Sequence, residues 1–157
     1  MKLLIRSIHG VLVAALAMSA PILHAQQKPA AAKPHMTVYK SPTCGCCTKW
    51  VEYMQANGFA SDVTNMADVT PIKIKHNVPS RLASCHTTLV GGYVIEGHVP
   101  VEDVRRLLKE KPAVVGLAAP GMPAGSPGMD IPNSPPYDVL AFDKAGTTRV
   151  YASHKPR

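Results

Sequence analysis

Three of the four cysteines fall within Cys44-Gly45-Cys46-Cys47, and the fourth is Cys85 in Ser84-Cys85-His86. A dithiol enzyme needs an attacking and a resolving cysteine, and a third thiol beside them invites scrambled disulfides. Soft thiolates at this density suit a soft metal, with Cu(I) and Zn(II) the candidates. Cys44 and Cys47 have the spacing that lets two thiols on one helical face share a metal or a disulfide. Cys46 points elsewhere on a regular helix, which favours a cluster of more than one metal or an irregular first turn. The competing reading is a pair of disulfides in an exported protein. A structural zinc site usually supplies two short cysteine pairs, and here the second pair is only Cys85 with His86. The spacing fits none of the familiar iron–sulfur runs.

Other soft or borderline donors lie elsewhere in the chain. Met122 and Met129 each end a Pro-Gly-Met turn; thioethers suit Cu(I) and have little use for zinc, while methionine also serves as an apolar plug. His86 adjoins Cys85 in an expected strand, so the two side chains should point to opposite faces. His98 closes Glu96-Gly97-His98. A solvent-facing or hydrogen-bonded role is expected for both imidazoles, with ligation of an oxidised copper state as the alternative. Met54 and Met66 are read as packing residues, and His35 and His154 as residues of the flexible ends. No phosphate-binding glycine loop, nucleophilic serine motif or paired catalytic carboxylate is evident.

The elements that must position these donors follow from local pattern. Met36 to Tyr39 reads as a strand stopped by Ser41-Pro42-Thr43. Thr43 is placed to cap a helix from about Cys44 to Asn57, with Gly58 ending it and Trp50, Val51 and Met54 on its buried stripe. The cysteine cluster then opens a helix, where backbone N–H groups and the helix dipole favour thiolate. A strand from Phe59 to Val63 and a short helix after Asp68 come next. Gly91-Gly92 signals a hairpin of Thr87–Val90 with Tyr93–Glu96. A helix from Val101 follows, acidic at its start and basic at its end in the order the helix dipole favours. Pro120 to Pro136 holds six prolines in 17 residues and reads as a loop, before a terminal hairpin around Asp143-Lys144-Ala145-Gly146.

This order predicts an α/β domain with a thioredoxin-like β-α-β-α-β-β-α succession, a Pro/Gly/Met-rich loop and a C-terminal β-hairpin. Val78-Pro79 falls where thioredoxin-like proteins have a cis-proline facing the cysteine motif. Cys85 is therefore expected beside Cys44, Cys46 and Cys47.

Residues 1–25 begin with Lys2 and Arg6, continue through an apolar stretch and end in Leu23-His24-Ala25, the pattern of a cleaved secretory signal peptide. Residues 26–35 read as a flexible leader and 36–157 as one metal-binding domain. Export of such a chain predicts the periplasm and no membrane anchorage after cleavage. The chain carries 17 Lys and Arg against 10 Asp and Glu; these charges are scattered, and nucleic acid is not an expected partner.

Four blocks carry a resemblance: Lys40-Ser-Pro-Thr-Cys-Gly-Cys-Cys-Thr-Lys-Trp50, Val78-Pro-Ser-Arg-Leu-Ala-Ser-Cys-His-Thr87, Gly92-Tyr-Val-Ile-Glu-Gly-His-Val-Pro100 and Gly116 through Met129. Together they resemble the CopG-type copper-resistance family of small exported proteins. The resemblance implies a thioredoxin-like fold and a role in periplasmic copper homeostasis. It also implies copper held by Cys44, Cys46, Cys47 and Cys85, up to a multinuclear Cu(I) cluster, and exchange with other periplasmic copper-handling proteins. A copper-binding protein is thus the expectation, with zinc as the other metal. The alternative of a different class is a thiol–disulfide or copper oxidoreductase using Cys44 and Cys47 as its redox couple.

Overall fold

The computed structural model describes residues 32–155. The expected signal peptide and most of the expected leader lie outside the described residues. Seven strands form one sheet in the order β2-β1-β3-β4-β5-β6-β7: β1 His35–Lys40, β2 Ala60–Asn65, β3 His86–Val90, β4 Tyr93–Glu96, β5 Gly116–Ala118, β6 Tyr137–Phe142 and β7 Thr148–His154. The helices are α1 Gly45–Ala56, α2 Thr70–Lys75 and α3 Val101–Glu110, with a 3-10 turn at Ser80–Leu82. β1 runs parallel to β2 and antiparallel to β3, and β3 and β4 form the expected hairpin. Gly91 and Gly92 turn that hairpin with φ of 55° and 84°, the left-handed pair that a tight two-residue turn requires.

The sheet has two covered faces because successive residues in a strand point to opposite sides. Ile95, Leu117 and Ala141 face one core with Trp50, Val51 and Met54 of α1 and Val104 and Leu107 of α3. Their neighbours Val94, Ala118 and Phe142 face a smaller core closed by Val78 and Leu82. Met54 is fully buried, as a packing residue should be.

Three features differ from the sequence expectations. β5 escaped notice because three residues of Gly-Leu-Ala carry too little pattern; they pair parallel to β4 and antiparallel to β6, joining the terminal hairpin to the sheet. The Val78–Pro79 peptide is trans, as is every peptide bond among the described residues. A Val-Pro step in front of a strand allows either isomer, and here the chain reaches the sheet through the 3-10 turn instead. His35 and His154, expected in flexible ends, lie within β1 and β7. His154 Nε2 is 2.7 Å from Oδ2 of the buried Asp103, tying the last strand to α3.

Candidate metal centre

The helix side of the site is built by the first turn of α1. Cys44 is the N-cap in place of the expected Thr43: its backbone is extended, and its sulfur accepts from the Cys47 N–H at 3.3 Å. Capping by residue 44 starts the helix at Gly45, so the three cysteines share its first turn. Cys44 and Cys47 are joined as a disulfide with their Cα atoms 5.3 Å apart. Cys46 is a free thiol whose sulfur lies 3.6 Å from that of Cys44. Cys47 is buried, while Cys44 and Cys46 are partly exposed.

The strand side is built by the bend before β3 and by the loop after β4. Cys85 precedes the first paired residue of β3, so strand alternation does not separate it from His86. Its sulfur lies 3.4 Å from His86 Nδ1 and 3.0 Å from His98 Nε2. Both histidines are fully buried, which corrects the solvent-facing role weighed for them. In the interior the Trp50 ring packs against His86 with 4.5 Å between ring centroids and the planes tilted by 45°, and His86 in turn meets His98 edge-on at 5.2 Å. Trp50 Nε1 donates to Val99 O at 2.9 Å and fixes the indole in that position.

The tautomer of His98 follows from its partner. A carbonyl can only accept, so His98 Nδ1 donates to Pro127 O at 2.8 Å, and the Nε2 lone pair faces the Cys85 sulfur. A backbone carbonyl on one imidazole nitrogen is the usual way that the other is aimed at a metal. Burial holds both imidazoles below their ordinary value, His86 the more strongly, with His98, Lys73 and Lys40 adding to the effect on His86. Neutral rings keep their lone pairs. His86 Nε2 is buried with no hydrogen-bond partner among the described residues. Burial, followed by the nearby Cys46, pushes the Cys85 thiol up to about 12, so in the metal-free protein this sulfur is protonated at neutral pH.

Two overlapping donor groups result. Ligand atoms of Cys44, Cys46, Cys47 and Cys85 all lie within 4.8 Å of one another, and so do those of Cys47, Cys85, His86 and His98. Cys47 and Cys85 are common to both. The structure therefore brings Cys85 to the cysteine motif, as expected, and adds both histidines. A surface cleft of about 660 Å³ lined by Lys75, His76, Val94, Val114, Asp143 and Lys144 contains none of these donors.

The two Pro-Gly-Met turns are not equivalent. A Cβ on Gly128 would lie 2.8 Å from both Cys46 O and Trp50 N, so the second turn packs its backbone directly on the first turn of α1. Gly128 also has a φ of 86°, and both constraints call for glycine. Met129 is half-buried beside it, whereas Met122 is exposed.

Charged residues not singled out in the sequence lie beneath the strand side. Glu96 is fully buried. It accepts from Lys73 Nζ, from Thr87 Oγ1 at 2.7 Å and from the Ser84 backbone N–H at 2.6 Å. Lys40 is buried with its ammonium on Ser41 O at 3.1 Å. The available signal was a carboxylate closing the apolar run Tyr93-Val94-Ile95.

An α/β domain that gathers four cysteines and two buried neutral histidines into one cluster has the donor set of a soft-metal-binding protein. Two solved structures of the copper resistance protein CopG, form 1 and form 2, match this fold with TM-scores of 0.74 and 0.73. Each is 36% identical in sequence, over 78% of this chain and 98% of the other. A family model described as a protein of unknown function, DUF411, matches residues 82–129, which include Cys85 and both histidines. No curated protein sequence matches the chain. On this identity and coverage, the chain belongs to the CopG copper resistance family.

Proposed function

We propose that the protein is a periplasmic copper-binding protein of copper homeostasis that takes Cu(I) as cargo through Cys44, Cys46, Cys47 and Cys85. The observation that carries this reading is the convergence of the four sulfurs on one another and on two neutral imidazoles. Thiolate and imidazole together are a donor set that suits copper. The two overlapping groups favour more than one ion, with His86 and His98 serving the inner group, and Met129 is better placed than Met122 to guard the site. We read residues 1–25 as a cleaved export signal, residues 26–35 as a leader and 36–157 as a single thioredoxin-like domain. The similarity to a copper resistance protein supports the same compartment.

The disulfide sets a condition on loading. Cys44 and Cys47 become ligands only after their S–S bond takes up two electrons and two protons from a thiol reductant, and each sulfur must then shed its proton to bind. The oxidised protein retains Cys46, Cys85, His86 and His98. The same disulfide favours a second reading, a thiol–disulfide or copper oxidoreductase with Cys44 and Cys47 as the couple, since the two lie three residues apart at a helix N-terminus.

Anaerobic purification under reductant, followed by elemental analysis and titration against a Cu(I) chelator, tests the proposal. Retention of more than one Cu(I), lost on Cys85→Ser, is the expected result. One equivalent of zinc with no copper uptake overturns it, since Cys47, Cys85, His86 and His98 also make a two-sulfur, two-nitrogen zinc set. Turnover of a disulfide or of copper that survives Cys46→Ser favours the oxidoreductase.

A further inference from the structure

We propose that Glu96 is a positioning residue for Cys85, acting through the Ser84 backbone and held in place by Lys73. The inference rests on the copper-binding reading above for its consequence, and on geometry alone for its mechanism. A buried carboxylate is costly unless it is paired and hydrogen-bonded, and Glu96 is fully buried at the end of β4. Its Oε1 takes the Ser84 N–H at 2.6 Å together with the Lys73 ammonium, and its Oε2 takes the Thr87 hydroxyl at 2.7 Å. The Lys73 ammonium also reaches Thr87 Oγ1 at 3.0 Å. Three segments thus meet on one side chain: α2, the start of β3, and the bend that carries Cys85.

The Ser84 contact is the informative one. Residues 83–85 lie between the 3-10 turn and β3, outside any helix or strand, so their position is not fixed by a backbone ladder. The Ser84 N–H is bound by a carboxylate of the strand that leads to His98, and Gly97 N donates to His86 O at 3.0 Å just beyond it. A Cβ at Gly97 would collide with the Ser84 side chain, so the bend is confined from two directions. Glu96 therefore sets the position of Cys85 relative to His98, the pair whose sulfur and Nε2 are 3.0 Å apart. Lys73 adds a role for α2, which has no buried residue of its own: it delivers the ammonium that makes the buried carboxylate tenable. A hydrogen bond to a charged acceptor is among the stronger of its kind, and groups that orient a ligand typically matter by roughly 10–100-fold in metal affinity.

The test compares wild type with Glu96→Gln and with the double variant Glu96→Gln/Lys73→Met, which keeps the side-chain volume but leaves no unpaired buried charge if the single variant fails to fold. In the reduced, metal-free protein, iodoacetamide modification of Cys85 is measured by peptide mass spectrometry relative to that of Cys46. We expect this ratio to rise about tenfold and Cu(I) affinity to fall by about tenfold or more. Thr87→Val removes the donor to the other carboxylate oxygen and leaves the Ser84 contact; it should lower thermal stability with the ratio unchanged. A ratio at or below that of wild type in a folded Glu96 variant overturns the proposal, as does an equal rise in Thr87→Val. If the wild-type protein takes up no Cu(I), the copper reading fails, and the metal-free ratio still decides the role of Glu96.

Discussion

The helix side and the strand side of the cluster reach the same place by different physics. On the helix side, three cysteines share one turn, and local backbone geometry leaves Cys44 and Cys46 partly exposed while Cys47 is buried. On the strand side, Cys85, His86 and His98 come from two segments; the His86 ring packs against Trp50, and His98 is held by Pro127 O. The first arrangement is cheap in ordering entropy because one helix makes it; the second depends on the whole tertiary structure. The helix side carries the disulfide, which a reductant can reach through the partly exposed Cys44. The buried side carries neutral nitrogens and a protonated thiol. We infer that the helix side responds to redox conditions while the strand side is the fixed half of the cradle.

The strongest way to break this contrast is Trp50→Ala, because Trp50 belongs to α1 yet its ring packs against His86. Removing a fully buried indole should cost about 3–5 kcal/mol, read by urea denaturation of the metal-free protein. The disulfide, formed within one turn of helix, should still form. Loss of the disulfide in a folded Trp50→Ala protein would show that the helix side is not locally determined.

Cys47→Ser comes next. Cys47 belongs to both donor groups and Cys46 to one, so Cys47→Ser should lower Cu(I) affinity by more than roughly 100-fold, beyond the range of losing a merely orienting group. Cys46→Ser should cost less and lower the number of ions bound. Chelator competition with each variant ranks them, and an equal loss in both would dissolve the distinction between the groups.

What was legible in the sequence follows the same division. Cys44, Cys46 and Cys47 stand out because a helical turn is a short-range object, and Cys85 could be assigned to them from the order of elements. Of the two roles expected for His86 and His98, the hydrogen-bonded one holds for His98 on Pro127 O and the solvent-facing one fails, because nothing in the spacing of residues 86 and 98 reports that both are buried. Strand alternation misdirected the reading of Cys85 and His86, since Cys85 lies just outside the strand where that rule applies. Glu96 and Lys73 were invisible for a related reason: 23 residues separate the partners, and an isolated Lys or Glu is normally a surface residue. The short β5 was missed because parallel pairing to β4, not its own composition, makes it a strand.

Acid should weaken the strand side of the metal-free protein. Burial lowers the affinity of His86 and His98 for a proton in the fold, whereas in the unfolded chain each titrates near 6.5. Stability is therefore fully present above about pH 6.5 and declines as pH falls through and below it, because the unfolded chain binds protons that the fold refuses. The slope approaches roughly 1.4 kcal/mol per pH unit for each histidine that stays neutral. Chemical denaturation from about pH 7.5 to about pH 5.0, a span that brackets the ordinary histidine range, measures it, and His86→Gln should reduce the slope. Burial raises Glu96 and Asp103, which contribute with the opposite sign, so the deciding comparison is the variant: a slope unchanged in His86→Gln would mean that His86 is not sequestered.

The smallest effect separates the two Pro-Gly-Met turns. Met122 is 41% exposed and lies at a φ of 53°, so its side chain contributes little packing, and Met122→Ala should change stability by no more than about 0.5 kcal/mol. Met129 follows Gly128, whose backbone lies on the first turn of α1, and the half-buried Met129→Ala should cost more. The same pair sharpens the ligand question. Cu(I) affinity unchanged in Met122→Ala and lowered in Met129→Ala would assign the thioether role to the turn that touches the helix side. A larger loss from Met122→Ala would mean that the exposed turn folds over the cluster when copper is bound, and the cradle would then have a third side.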